Sequence, residues 1–181
     1  MSRPPLAREK VLDAFERILV ADGERAATMD ATARRAGVSK GGLLYHFASK
    51  SALEAGLIER LGALVDDDIA AMTSAEGGPI AYFLRSSATE NDPLDRAITA
   101  VSRLAQGGNA AAGGMLRDIR DRWADAIRPH TKDDAALDLV MLVADGLYFN
   151  NALEGGSIPG PVPTGAAMDA LIALVETAAR R

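Results

Sequence analysis

Apolar residues recur every three or four positions along almost the whole chain, and no stretch alternates apolar with polar side chains over a sustained length. The first spacing places an apolar face along an α-helix, whereas a half-buried strand requires the second. Val11, Leu12, Phe15, Ile18 and Leu19 show the helical spacing near the start of the chain. The sequence therefore predicts an all-α protein.

Capping residues, glycine pairs and prolines divide this pattern into nine predicted helices. Gly23 follows the first apolar face, and Thr28, Ser39 and Ser49 are suited to cap the next three helices. Paired glycines and a proline-rich stretch at 159–163 separate later helices. The predicted helices span about residues 7–22, 29–35, 40–46, 50–72, 79–89, 93–106, 111–128, 133–153 and 164–180.

The composition excludes several classes of function. The 181 residues are 48% hydrophobic and 25% charged, which is average for a compact globular chain. The absence of cysteine excludes disulfides, thiolate nucleophiles and cysteine-based metal sites, and two histidines do not fill a metal site. The sequence also lacks a nucleophile elbow and a phosphate-binding loop. We therefore expect a protein that is not an enzyme and needs no cofactor or metal.

The net charge of −5 is unevenly distributed. Residues 1–50 carry nine basic and six acidic side chains, whereas residues 51–181 carry eleven basic and nineteen acidic ones. A basic head on an acidic body is expected when only the head meets a polyanion. Uneven surface charge without a function explains the same distribution equally well.

Membrane and export signals are not visible in the sequence. The longest apolar runs are far shorter than the roughly 20 residues that span a bilayer. The first residues lead into a charged amphipathic segment and not into the apolar core of a signal peptide. We expect a cytoplasmic protein with no membrane partner.

The two short helices predicted at 29–35 and 40–46 are joined by the turn Ala36-Gly37-Val38-Ser39. Gly37 permits the left-handed backbone of a sharp turn, and the second helix carries Lys, Tyr and His. This layout is typical of a helix-turn-helix DNA reader, although helical hairpins in enzymes are similar.

The segment Thr28–Leu53, TMDATARRAGVSKGGLLYHFASKSAL, resembles the amino-terminal DNA-binding domain of the TetR (tetracycline-repressor-like) family. The resemblance covers about residues 8–57 and rests on G-V-S-K-G, L-L-Y-H-F and S-K-x-A-L in a fixed register. It implies an all-α homodimer with a DNA-binding head at 1–50 and a helical ligand-binding and dimerisation body at 51–181. The third helix would enter the major groove of double-stranded DNA.

The resemblance also implies which residues meet DNA. The helix caps would offer hydroxyls and helix-start N–H groups to phosphates, and the third helix would face base edges or the flanking backbone. Phe47 matches a packing position, so we expect it in the core. The predicted DNA-binding residues are Thr28, Ser39, Lys40, Gly41, Gly42, Tyr45, His46 and Lys50.

Three positions depart from the family pattern. Gly42 stands where Thr is usual and Leu44 where a phosphate-binding Tyr is common, so two hydroxyl contacts are missing. Thr32 replaces a usual Ile, and we expect its hydroxyl to bond the Thr28 carbonyl. The operator sequence does not follow from these residues.

The predicted helices at 133–153 and 164–180 are the most densely apolar part of the body. We predict that this hairpin joins a partner's hairpin in an intermolecular four-helix bundle, with intrachain core as the alternative. The residues predicted at the dimer interface are Leu137, Val140, Met141, Ala144, Leu171, Ile172, Leu174 and Val175.

The resemblance implies a small-molecule pocket in the body, whose ligand changes the spacing of the two recognition helices through the fourth helix. Bulky residues on central helices are candidates, although each also suits a core. Trp123 is the strongest, because its indole N–H needs a polar partner. The predicted pocket residues are Phe83, Leu84, Met115, Ile119, Trp123, Tyr148, Phe149 and Asn150.

We therefore expect a sequence-specific DNA-binding transcriptional regulator of this family. The expected mechanism is repression at a pseudo-palindromic operator, with release by a small, mostly apolar ligand. The alternatives are a ligand-independent regulator or activator of the same family, or a helical interaction module that does not bind DNA.

Overall fold

The computed structural model describes residues 4–89, 92–152, 160 and 162–180, and these residues form helices and turns without a strand. The all-α prediction is confirmed, and the helices begin and end within a few residues of their predicted bounds. The predicted end of the eighth helix at Leu153 lies outside the described residues, as do Pro159 and Pro161 of the 159–163 stretch. The helices are α1 (Pro4–Asp22), α2 (Met29–Ala36), α3 (Lys40–His46), α4 (Lys50–Ser74), α5 (Pro79–Ser86), α6 (Pro93–Gln106), α7 (Ala110–Ile127), α8 (Asp134–Ala152) and α9 (Gly165–Arg180), with a short 3-10 turn at Arg128–His130.

The predicted caps are present at the starts of α2, α3 and α4. Thr28, Ser39 and Ser49 each accept the backbone N–H three residues later, at 3.2, 3.0 and 3.1 Å. Each bond satisfies a donor that the first turn of a helix leaves unpaired. Gly37 ends α2 with a φ of 68°, in the left-handed region that favours glycine.

The described residues divide into two compact units. The first unit comprises Met1–Val65 and Pro93–Ile119, and the second comprises Asp66–Asp92 and Arg120–Arg181. The first unit thus holds α1–α3, much of α4, all of α6 and the first half of α7. The predicted division at residue 50 concerns function, and it remains a prediction.

The first unit has an apolar core to which α1, α3, α4 and α6 contribute. Phe47 is buried, as predicted for a packing position. A Cβ added at Gly56 would lie 2.9 Å from the Phe47 ring, so glycine permits the close approach of α4. The larger buried residues are Val11, Leu12, Phe15, Leu19, Leu43, Leu53, Leu57, Leu61, Val101 and Leu104.

A buried carboxylate joins three helices of the first unit. Glu16 of α1 lies 3.3 Å from Arg60 of α4 and 3.4 Å from Arg96 of α6. Arg60 also pairs with Glu9 at 2.7 Å and with Asp13 at 2.8 Å. Burial alone would lower the pKa of Arg60, but the hydrogen bonds and charges of Glu9 and Asp13 outweigh it and raise that pKa.

The second unit packs α5 against α8 and α9 with apolar side chains. The backbone N–H of Lys132, just before α8, donates to the Ala179 carbonyl at 2.9 Å. This bond joins the start of α8 to the end of α9. None of the described helices is both long and apolar enough to cross a membrane. The larger members of the buried cluster are Met72, Ile80, Phe83, Leu84, Ile127, Leu137, Val140, Met141, Leu147, Met168, Ile172 and Val175.

Candidate functional site

The helix-turn-helix of α2 and α3 packs against α1. Thr32 is buried in α2, and its hydroxyl donates to the Thr28 carbonyl at 2.8 Å, as predicted. This bond satisfies a hydroxyl that would be costly to bury unpaired at a position where the family usually has Ile. The departure from the family pattern therefore leaves the helix-turn-helix intact.

Helix α3 buries one side and exposes large side chains on the other. Leu43 and Phe47 lie in the core, whereas Leu44 is exposed and Tyr45 is 81% exposed. The Tyr45 ring stands edge-on to the His46 ring, with 5.1 Å between their centroids. Burial of a Tyr ring stabilises most folds, so a ring left in solvent on this helix is available to an external partner.

The two glycines of α3 differ in their surroundings. A Cβ added at Gly41 would meet no atom within 4 Å, whereas one at Gly42 would lie 3.3 Å from the Ser39 hydroxyl that caps the helix. Glycine costs a helix about 1 kcal/mol relative to alanine. Packing within the chain therefore does not explain Gly41, and its surface is open to a partner's close approach.

The basic residues of the head are not equally available. Lys40 pairs with Asp30 at 3.0 Å, and its side chain is 64% exposed. Lys50 is 35% exposed and lies 2.9 Å from a carboxylate oxygen of Glu24.

Sequence reasoning missed two further cations at the end of α2. Arg34 and Arg35 are exposed, and they stand as a basic pair just before the Gly37 turn. Cations in a last turn also complement the helix dipole, so an exposed pair there has a structural as well as a functional use. The adjacent arginines were the available signal, but they lie outside the motifs that carry the resemblance.

All eight predicted DNA-binding residues lie on α2–α4 or at their ends. Five of them are exposed: Thr28, Ser39, Lys40, Gly41 and Tyr45. Gly42, His46 and Lys50 are half-buried. Their contacts with DNA remain a prediction.

The predicted pocket residues are divided between the two units. Met115 and Ile119 belong to the first unit. Phe83 and Leu84 lie in the core of the second unit, and the Phe83 ring is 5.8 Å from the ring of Trp123. The other three members are also in the second unit: Phe149 is exposed, and Tyr148 and Asn150 are half-buried.

A half-buried carboxylate satisfies the indole of Trp123. The indole N–H donates to Asp68 at 2.9 Å, and the Tyr82 hydroxyl donates to the same carboxylate at 3.1 Å. Burial raises the pKa of Asp68, although these two hydrogen bonds oppose the shift. Burial and the charge of Asp68 raise the pKa of Tyr82 to about 12. The sequence indicated that Trp123 needs a polar partner, but not that Asp68 supplies it.

The predicted interface residues lie mostly inside their own unit. Leu137, Val140, Met141, Ala144, Ile172 and Val175 are buried, Leu171 is partly buried, and only Leu174 is largely exposed. The intrachain-core alternative thus describes six of these eight residues in the single chain. A helical period shows that a face is apolar, but not which neighbour covers it.

A second apolar set on the same hairpin is exposed to solvent. Leu142 of α8 is 65% exposed, Phe149 of α8 is 62% exposed and Leu174 of α9 is 68% exposed. Leu139 and Gly146 are also exposed on α8, at a spacing that places them on one side with Leu142 and Phe149. Contiguous exposed apolar residues of this kind mark interaction surfaces.

Two family models match the chain. The model described as "Bacterial regulatory proteins, tetR family" matches residues 11–55, which contain the helix-turn-helix. The model described as "Tetracyclin repressor-like, C-terminal domain" matches residues 77–176, more than half of the chain. Comparison with curated proteins gave no match.

Solved structures show the same fold. Salmonella enterica GusR is 16% identical with a TM-score of 0.67, and the alignment covers 100% of this chain and 99% of that one. A TetR-like transcriptional regulator from Rhodococcus sp. RHA1 is 22% identical with a TM-score of 0.61, covering 99% of this chain and 96% of its own. The protein SCO7518 from Streptomyces coelicolor A3(2) is 21% identical with a TM-score of 0.62, covering 94% and 98%.

Members of this family are regulators that bind DNA and dimerise, not enzymes. The helix-turn-helix, the all-helical body and both family models agree on the same assignment. The chain belongs to the TetR family, and it is a DNA-binding transcriptional regulator.

Proposed function

We propose that this regulator is a homodimeric repressor that binds a pseudo-palindromic operator and leaves it when a small molecule binds the body. Repression and release by a ligand are typical of the family. The observation that carries the DNA-binding part is the solvent-facing side of α3, where Tyr45 is exposed and Gly41 leaves the backbone open.

In this proposal α3 enters the major groove and its open backbone approaches the duplex closely. Tyr45 contacts a base edge or the adjacent backbone, and the Ser39 cap and Lys40 contact phosphates. Thr28, Gly42 and His46 complete the contact surface. Because hydrogen bonds to base edges carry sequence information, we expect loss of Tyr45 to weaken specific binding more than nonspecific binding.

The exposed side of the α8–α9 hairpin is the proposed dimer surface. Leu139, Leu142, Phe149 and Leu174 would be covered by the same residues of a second copy, as a two-fold interface requires. This choice replaces the buried residues predicted from the sequence, which their own unit already covers. The two-fold symmetry of such a dimer would make the operator pseudo-palindromic, and dimeric helix-turn-helix proteins need half-sites about 34–36 Å apart.

The second unit offers features suited to an effector. Asp68 and Tyr82 supply polar groups beside the Phe83 and Trp123 rings. A few placed polar groups among apolar side chains are typical of small-molecule sites. This arrangement supports a ligand that is mostly apolar with one polar group, and Trp123 would report its binding.

The close approach of α3 to DNA is tested with a matched pair of glycine variants. Gly41→Ala and Gly114→Ala each add one methyl group to a helix where it meets no atom within 4 Å. Both changes should raise the free energy of unfolding by about 0.5–1 kcal/mol. Only Gly41→Ala should weaken specific DNA binding, by about tenfold or more, in fluorescence anisotropy with a selected duplex. Equal affinities for the two variants would contradict the close approach.

The regulatory part is tested on the wild-type protein. The chain has one tryptophan, so its fluorescence reports the surroundings of Trp123 without labelling. A compound library is titrated while emission is followed, and each compound that changes it is added to the protein–duplex complex. Release of DNA at the concentration that changes the emission supports a ligand-released repressor. Binding without release would contradict it.

A further inference from the structure

Lys50 begins α4, at a position where the family resemblance implies a phosphate contact, but its ammonium group has partners within the chain. Its Nζ lies 2.9 Å from a carboxylate oxygen of Glu24 and 3.3 Å from the Glu24 backbone carbonyl. A carboxylate oxygen of Glu54, one turn later in α4, lies 3.9 Å away. Glu24 thus accepts two of the three N–H donors of the ammonium group, and Glu54 adds an ion-pair contact beyond hydrogen-bond distance.

The cluster of Lys50, Glu24 and Glu54 extends to the turn between α6 and α7. The Asn109 side-chain amide donates to Glu54 at 2.9 Å, while its oxygen accepts the Ala112 backbone N–H at 3.0 Å and so caps α7. Gly107 lies against the Glu24 carboxylate so closely that an added Cβ would overlap it. The cluster therefore joins the loop before α2, the start of α4 and the α6–α7 turn, all within the first unit.

The local charge also disfavours a phosphate at this point. Glu24 and Glu54 contribute two negative charges against the single positive charge of Lys50, which leaves the cluster net negative. Glu54 is only 16% exposed, so solvent screens this charge less than it would at an open surface. Lys40 differs, because it is mostly exposed and has one exposed partner, Asp30.

We propose that Lys50 is a positioning residue that holds the helix-turn-helix against the α6–α7 turn, and that it does not contact DNA. The proposal rests on the DNA-binding function of the head. It assigns the α6–α7 turn, far from the motif in sequence, to the support of the DNA-reading surface.

The salt dependence of DNA binding separates the two roles of a lysine. A lysine that neutralises a phosphate releases counterions, so its removal lowers the slope of log affinity against log salt concentration by about one. A positioning residue lowers the fraction of protein that is competent to bind, which reduces affinity by the same factor at every salt concentration. We therefore compare Lys50→Met with Lys40→Met by fluorescence anisotropy on one selected duplex at four salt concentrations.

Lys40→Met should lower the slope by about one, whereas Lys50→Met should leave it unchanged and weaken binding about fivefold at every salt concentration. A slope reduced by about one in Lys50→Met would overturn the proposal. Absence of wild-type binding to any duplex would instead contradict the DNA-binding function itself, so the two failures are distinguishable.

Glu24→Gln gives an independent test. If Lys50 positions the head, Glu24→Gln weakens DNA binding as Lys50→Met does, and the double variant is no weaker than either single one. If Glu24 instead withholds Lys50 from a phosphate, Glu24→Gln tightens binding and steepens the salt slope, which overturns the proposal.

Asn109→Ser covers the case in which the Lys50 variant does not fold. Serine keeps a cap for α7 but cannot reach Glu54 as the amide does. We expect weaker DNA binding with an unchanged salt slope, and wild-type affinity in this folded variant would overturn the role given to the α6–α7 turn.

Discussion

The two units of this regulator differ in how far the ion pairs between their segments are exposed. In the first unit, ion pairs join segments that are distant in sequence, and their carboxylates are mostly buried: Glu16, 6% exposed, meets Arg60 and Arg96, and Glu24, 33% exposed, meets Lys50. In the second unit, apolar side chains join α5, α8 and α9, and the ion pairs between its helices, Arg85 with Asp169 and Arg120 with Asp145, are about half exposed. The second unit also leaves large apolar side chains in solvent, which the tertiary structure of one chain does not cover.

The difference fits the functions proposed for the two units. Hydrogen-bonded ion pairs are directional, so they fix the angle and register of helices that must place α3 accurately on a duplex. Apolar contacts are not directional, and they stabilise an interface in proportion to the area that it buries. A unit that reads DNA would benefit from the first kind of contact, and a unit with the proposed dimer surface would benefit from the second.

The largest effect is expected from a substitution that disrupts the proposed dimer surface of the second unit. Leu142→Asp places a carboxylate at the centre of the proposed dimer surface, where burial of an unpaired charge is costly. We expect the dimer dissociation constant to rise more than a hundredfold, equivalent to about 3 kcal/mol, while each chain stays folded. Sedimentation velocity measures the dissociation constant, and circular dichroism measures the helix content.

Ala63→Asp is the control for this change, since Ala63 is exposed on α4 in the first unit. It adds the same charge at a residue that is not part of the proposed dimer surface, and the variant should remain dimeric. A dimeric Leu142→Asp variant would contradict the proposed interface, and dissociation of both variants would show a general effect of charge.

The next largest effect is on the free energy of unfolding, and it contrasts the buried carboxylate of Glu16 with the exposed carboxylate of Asp145. Glu16→Gln removes the charge that faces Arg60 and Arg96, and we expect it to lower the free energy of unfolding by about 2 kcal/mol. This is less than the cost of breaking a fully buried pair, because Arg60 keeps Glu9 and Asp13. Urea denaturation followed by circular dichroism provides the measurement.

Asp145→Asn is the matched change in the second unit. Asp145 pairs with Arg120 at 2.6 Å, but about half of each side chain is exposed, so its loss should cost at most about 1 kcal/mol. Equal losses for Glu16→Gln and Asp145→Asn would contradict the contrast between the two units.

The smallest expected effect is on the pH dependence of stability, through the half-buried carboxyl group of Asp68 in the second unit. Because the pKa of Asp68 is raised in the folded state, protonation of this carboxyl favours folding, and that contribution is lost as the pH rises through the folded-state pKa. Asparagine stays neutral and can still accept from Trp123. Asp68→Asn should therefore be slightly more stable than the wild type at pH 7, and this advantage should vanish below about pH 4.

The pH series is measured by urea denaturation at intervals between pH 3.5 and 7.5. Tyr82→Phe serves as a control, because it removes a hydrogen bond to Asp68 without removing the titrating carboxyl. An Asp68→Asn variant that loses stability at neutral pH would mean that the charged carboxylate, with its two donors, stabilises the unit.

Local sequence signals predicted much of the fold. The caps at Thr28, Ser39 and Ser49 and the left-handed Gly37 act between near neighbours, so their side chains and backbone alone determine the outcome. The hydroxyl bond of Thr32 was predictable for the same reason. The end of α5 was predicted less well: the helix ends at Ser86, three residues before the predicted end.

Contacts between distant residues were not predictable in this way. The sequence marked Trp123 as needing a partner, but Asp68 stands 55 positions away. The hairpin of α8 and α9 was rightly identified as apolar, yet six residues predicted at the interface are buried in the second unit. The exposed set, with Leu142 and Phe149, is the less dense of two apolar sides of α8.

The sequence by itself determined the helical period, the capped helix-turn-helix and the family resemblance, because these depend on residues a few positions apart. Only the tertiary structure decided which apolar side of α8 faces inward, and that Lys50 pairs with Glu24 and Glu54. Burial and ion pairing depend on the neighbours that folding brings within a few ångströms, and a single sequence does not list those neighbours.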